Sequence, residues 1–173
     1  MKFNDGGNAW DATSILGRGS PTTALYALNG KIYSGTTNDN MGILTTDFTT
    51  DSAKHRESSQ LFFYNGTISQ RNSNLGHTSL NVAASRRLTN SYVQDTHAVV
   101  INGKTYVAIA TDEDVTPGTE GVSILNETDE VVYDYVDVTG DEIKNVWMTK
   151  DGTLYFSNET QGGIDVFYKM QDD

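Results

Sequence analysis

The sequence predicts an all-β fold, an array of three to four small antiparallel sheets, and three observations predict it. Short runs rich in Val, Ile, Thr, Tyr and Phe alternate with Gly, Asn and Asp along the 173 residues. That composition suits pleated, half-buried strands separated by turns. No window sustains an apolar stripe at i, i+3, i+4 and i+7, so no amphipathic helix is indicated. One hairpin motif also recurs: Leu25-Tyr26-Ala27-Leu28-Asn29-Gly30-Lys31-Ile32-Tyr33, then Val99-Val100-Ile101-Asn102-Gly103-Lys104-Thr105-Tyr106, then Trp147-Met148-Thr149-Lys150-Asp151-Gly152-Thr153-Leu154-Tyr155. Asn-Gly and Asp-Gly between apolar runs mark type I′ turns, which need positive φ at both central residues.

In chain order, residues 1–22 are rich in Gly, Asn, Asp and Ser and end near Pro21, so they read as an irregular N-terminal arm. Trp10 and the Ile15-Leu16 pair are its candidate anchors. Residues 23–173 read as a single all-β domain. Strands are expected at 23–28, 31–36, 42–46, 60–64, 67–70, 79–84, 97–101, 104–111, 121–125, 131–137, 143–149, 153–157 and 163–168. A turn or two of helix is expected near Asp51–Ser58, and His55, between Lys54 and Arg56, is expected on an exposed loop. Pro117-Gly118 marks a further loop.

Each hairpin is followed by a Gly-led apolar strand: Gly42-Ile43-Leu44, Gly121-Val122-Ser123-Ile124-Leu125 and Gly163-Ile164-Asp165-Val166-Phe167. The order strand, turn, strand, loop, Gly-led strand resembles a blade of a β-propeller, of the short-repeat kind in kelch-like and YVTN-like proteins. Neither the Gly-His and Trp-Asp pair nor the kelch double glycine recurs. The turn glycines fall at 30, 103 and 152, intervals of 73 and 49, against about 40–50 residues per blade. A further hairpin at Leu61–Ser69, turning at Asn65-Gly66, divides the longer interval but carries Ser69 where the others have Tyr33, Tyr106 and Tyr155. The resemblance implies a propeller-like array of three to four blades; a β-sandwich of the same hairpins is the alternative. Such a short ring must hide its first and last edges, and with no cysteine it has no disulfide to staple it.

Composition narrows the function classes. The absence of cysteine excludes disulfides, thiolate metal sites and Cys nucleophiles. Mean hydropathy is -0.46, and no apolar run reaches the roughly 20 residues that span a bilayer, so no membrane insertion is expected. The first residues lack the apolar core of a signal peptide. A net charge of -11 opposes binding to nucleic acid. The charge is also uneven: residues 1–90 hold 8 Lys/Arg against 6 Asp/Glu, while residues 91–173 hold 4 against 17. Lys54, Arg56, Arg71, Arg86 and Arg87 carry most of the positive part. Such polarity steers contact with other subunits, head-to-tail self-assembly included.

No catalytic constellation stands out. His55, His77 and His97 share no metal-ligand spacing, and His97, opening an apolar strand, reads as structural. There is no Gly-x-Ser-x-Gly elbow, and Gly17-Arg18-Gly19-Ser20 lacks the lysine of a phosphate loop. Acidic loops at Asp112-Glu113-Asp114, Asp129-Glu130 and Asp141-Glu142 read as solvated. Calcium is the one cofactor with candidate ligands, Asp112, Glu113 and Asp114 or Asn38, Asp39 and Asn40; otherwise no cofactor is expected. Tyr33, Tyr106 and Tyr155 should pack between sheets. Trp10, Trp147, Arg86 and Arg87 are the candidate binding residues. The expected function is a non-enzymatic structural or binding module of a larger assembly. Cys-free, Asn/Thr/Gly-rich β-chains with an irregular arm resemble bacteriophage virion and tail components, which implies a virion or extracellular rather than cytoplasmic location. The alternatives are a module that binds carbohydrate or a glycan receptor, and a propeller glycosidase using paired loop carboxylates.

Overall fold

The computed structural model describes residues 22–37, 42–64, 78–81, 83–112, 120–136, 142–158 and 163–167. Its strands form three antiparallel sheets, each a meander in sequence order, none closed into a barrel. Sheet A holds β1 (Thr22–Leu28), β2 (Lys31–Thr36), β3 (Ile43–Asp47), β4 (Ser52–Arg56), β5 (Gln60–Tyr64) and β6 (Thr78–Asn81). Sheet B holds β7 (Val93–Ile101), β8 (Lys104–Thr111), β9 (Gly121–Asn126) and β10 (Val131–Val136). Sheet C holds β11 (Ile143–Met148), β12 (Leu154–Asn158) and β13 (Gly163–Phe167). The candidate strand at 67–70, the Asn65-Gly66 turn and the arm up to residue 21 lie outside the described residues.

The repeated hairpins open the three sheets, with two kinds of turn. Asn29 and Gly30 have φ of 50° and 76°, and Asn102 and Gly103 have 50° and 81°, the paired positive values of a type I′ turn. The third turn differs from the sequence expectation. Only Gly152 is left-handed there, at 84°. The Thr149 amide instead donates to the Thr153 carbonyl at 2.9 Å, and the Gly152 amide donates to the Thr149 carbonyl at 3.0 Å. That geometry is a longer loop with glycine in the left-handed position. Its first residue accounts for the change: the Thr149 hydroxyl donates to the Asp151 carboxylate and the Thr153 carbonyl.

The helical turn expected at Asp51–Ser58 is a strand, β4. It pairs with β3 on one side and β5 on the other. Ala53 and His55 point to one face and Lys54 and Arg56 to the other, the period of two that a strand imposes. His55 is buried rather than exposed on a loop, stacked on Phe62 at 5.4 Å. The 79–84 strand also ends early, and Ala84–Arg86 form a short 3-10 helix.

Sheet B lies between the other two, and β8 is buried along Tyr106–Thr111. One of its faces, with Ala98, Val107, Ile109, Leu125 and Val132, packs on Ala24, Tyr33 and Ile43 of sheet A. Its opposite face, with Val99, Tyr106, Ala108, Ala110 and Val122, packs on Ile143, Val146, Met148, Leu154 and Phe156 of sheet C. The leading strands carry these contacts, because β1 and β11 both lie against β7.

The turn between β9 and β10 clamps sheets A and B. Glu127 accepts hydrogen bonds from Lys31 Nζ at 2.8 Å and from the buried Tyr33 hydroxyl at 2.7 Å. Glu130 pairs with Lys54 and, at 2.5 Å, with Arg56 Nη2. The Arg56 side chain is only 4% exposed, so its charge depends on that partner. Burial alone would raise the Glu130 pKa, but Lys54 and Arg56 outweigh it and hold the carboxyl below its ordinary value. Part of the charge asymmetry along the chain is therefore spent inside the molecule.

Candidate functional site

β7 is an edge strand of sheet B, and β1 and β11 flank it. All three strands run into the repeated turns at one end. There they bound a groove of about 480 Å³ lined by Tyr26, Leu28 and Asn29 from the first hairpin, His97–Val100 from the second and Trp147–Lys150 from the third.

Three rings, one from each sheet, build its floor. His97 lies 4.6 Å from Tyr26, with the rings inclined at 57°, and 4.0 Å from Trp147, inclined at 34°. The imidazole is fixed from behind: His97 Nδ1 accepts the Met148 amide at 3.2 Å, and the neighbouring Asp95 carboxylate accepts the Val146 amide at 3.0 Å. An accepting Nδ1 makes the ring neutral with its proton on Nε2. Burial lowers the His97 pKa, against the opposing charge of Asp95, and so favours this neutral form. His97 is thus structural, as its sequence context implies, but it also pins sheet C to sheet B. Burying a ring whose polar atom has a partner avoids the desolvation cost of an orphaned one.

Trp147 is 57% exposed. Among the residues that line the groove there is no carboxylate, and Lys150 is the one lysine or arginine. In a chain of 23 acids and 12 bases, that is an uncommonly anion-tolerant surface. An aromatic shelf with a cationic rim can hold a ring-shaped or apolar group by stacking and an acceptor at the amine.

Of the four sequence candidates, Trp147 is placed in this groove and Trp10 lies outside the described residues. Arg86 is exposed on the 3-10 helix, where its carbonyl accepts Arg56 Nη1 at 2.5 Å. Arg87 follows it, half-buried, its amide bonded to Ala84. Neither arginine lines the groove. Tyr26, Asn29 and Lys150 are not among those four candidates, although all three belong to the recurring hairpin motif. Of the calcium candidates, Asp112 is held by Gln94 at 2.7 Å and Lys144 at 2.8 Å, and the others lie outside the described residues. Among the described residues no group of three His, Asp or Glu side chains is placed to hold a metal.

The repeat places equivalent residues in unlike surroundings. Tyr26 opposes Tyr33, Val99 opposes Tyr106 and Trp147 opposes Tyr155, the same rung in three sheets. Tyr33 is buried under sheet B and Tyr106 under sheet C. Tyr155 is half-buried, on the face of sheet C that looks away from sheet B, beside Trp147 and the 71% exposed Ile164. The expectation that the repeated tyrosines pack between sheets thus holds for two of the three.

No family model matches the chain, and no curated protein does either. Among solved structures it is similar to the crystal structure of the computationally designed Ika4 protein, at 13% identity and a TM-score of 0.39, over 89% of this chain and 94% of that one.

Proposed function

We propose that the chain is a non-enzymatic structural and binding module of a larger protein assembly, of the kind that builds a bacteriophage virion or tail, and that its sheets are blades of an open propeller. The convergence of β1, β7 and β11 along one line supports blades that radiate over plain stacked layers. One observation carries the assembly reading. The rung of Tyr26 and Val99 is packed toward the next sheet in sheets A and B, while its equivalent in sheet C, Trp147, is 57% exposed. An exposed apolar face in the position where the chain elsewhere seats another sheet is a docking surface rather than scattered surface apolarity. The virion context rests on composition and on the expected irregular arm. Light scattering of the pure chain over a range of concentrations tests the reading. Association, or uptake by virion proteins of the same source, is expected; a chain that stays monomeric and takes up no such partner contradicts it.

The groove favours a second reading, a carbohydrate- or receptor-binding module. Trp147 offers an open indole face beside Lys150 and Asn29, the pairing of apolar platform and polar rim that suits a sugar ring. A glycan array checks it: binding should be lost in Trp147→Ala, and a blank array with the parent chain would rule this reading out.

A further inference from the structure

We infer that the groove takes an acidic sugar, a pyranose that carries one carboxylate, with its ring on Trp147 and its carboxylate at Lys150. This rests on the carbohydrate-binding reading above and names the class of sugar.

The charge argument starts from the lysines. Among the described residues, Lys31 is paired with Glu127 at 2.8 Å, Lys104 with Asp129 at 3.0 Å, Lys144 with Asp112 at 2.8 Å, and Lys54 with Glu130. Lys150 is the one described lysine that no described carboxylate meets, and it stands exposed on the wall of the groove. In a chain of 23 acids and 12 bases, a lysine left without an acid is the exception. The next residue along the chain does not take it. The Asp151 carboxylate accepts the Thr149 hydroxyl and, at 3.3 Å, the Thr153 amide, so it is held within its own loop.

A single cation also sets how much charge the ligand carries. Lys150 can neutralise one carboxylate, while the net charge of -11 repels a polyanion such as nucleic acid.

Shape selects a saturated ring. The groove measures about 480 Å³, and roughly 300–1,000 Å³ is usual for a small-molecule site. The Tyr26 and His97 rings are inclined at 57°, and the His97 and Trp147 rings at 34°. Neither pair forms a parallel slot for a flat aromatic ligand. The 57% exposed indole instead offers one open face, which suits the C–H side of a pyranose. Beside it stand Lys150 and Asn29, whose amide both donates and accepts. That rim matches hydroxyls and a carboxylate, and the lining holds no acid to repel the latter.

A glycan array of matched pairs tests this, with glycans ending in a uronic or sialic acid, each beside its carboxyl methyl ester. The full chain should bind each acid about fivefold more tightly than its ester, the worth of one exposed ion pair. Lys150→Met should erase that preference, and Lys150→Arg should keep it. Trp147→Ala should weaken acid and ester alike, by about tenfold, through loss of the stacking face. Equal binding of acid and ester by the parent chain overturns the inference and leaves the carbohydrate reading standing. So does an acid preference that persists in Lys150→Met. A blank array, or binding that Trp147→Ala leaves unchanged, overturns both.

Discussion

The two faces of sheet B are held by different physics. Toward sheet A the apolar contact of Val107 and Ile109 with Tyr33 and Ile43 is bordered by a charged clamp, Lys31 and Tyr33 on Glu127 and Lys54 and Arg56 on Glu130. Toward sheet C the contact is an apolar one, Tyr106, Ala108 and Val122 on Met148, Leu154 and Phe156, fastened at its edge by amides donated to Asp95 and His97 and by a Lys144–Asp112 ion pair at 2.8 Å. The A–B face spends charge to fix one relative placement of two sheets, since a long side chain and a carboxylate meet in few geometries. The B–C face has a single ion pair at its rim and relies chiefly on apolar volume.

The comparison can be broken first at the apolar face. Phe156 is 2% exposed between sheets B and C, and Phe156→Ala should cost about 4 kcal/mol of unfolding free energy in urea denaturation. The clamp comes next. Glu130→Gln leaves the buried Arg56 charge without its carboxylate and should cost about 3 kcal/mol by the same measurement. It should also flatten the acid limb of the stability curve. The folded Glu130 pKa is lowered from 4.5, so its contribution is complete above that value and is lost as pH falls below it. Tyr33→Phe removes one hydrogen bond and leaves Lys31 on Glu127, so about 1 kcal/mol is expected.

The smallest effect separates the two faces by pH. His97 has a folded pKa lowered from 6.5 by burial, so the unfolded chain binds more protons below that value. Its contribution is fully present above 6.5 and is lost as pH falls through the window beneath it. Thermal melts between pH 7 and 5 should show this slope in the parent chain and lose it in His97→Gln, whose amide oxygen can still accept from Met148. A slope unchanged in that variant would assign the titration elsewhere.

Much of the fold was legible because its signals are local. Asn29-Gly30 and Asn102-Gly103 specify their turns within two residues, and the Gly-led strands follow at short range. β4 was not legible, because Lys54 and Arg56 look like a solvated stretch until Glu130, 74 residues beyond Arg56, supplies the charge that lets Arg56 be buried. The third turn misled for a related reason. Asp151-Gly152 carries the right dipeptide, but the Thr149 hydroxyl two residues earlier recruits Asp151 into a longer loop. At the groove, Trp147 was visible as an isolated tryptophan, whereas the environment of His97 depends on Met148, 51 residues away. The charge asymmetry was readable as a count, yet which charges were already paired inside the chain was not.

Hydrogen exchange of the parent chain reads most directly whether sheet C receives a partner, as proposed. Amides of Ile143–Met148 should gain protection as protein concentration rises, while those of β8, already buried between two sheets, should not change. Exchange at β11 that is equally fast at every concentration, with or without candidate partner proteins, would contradict it.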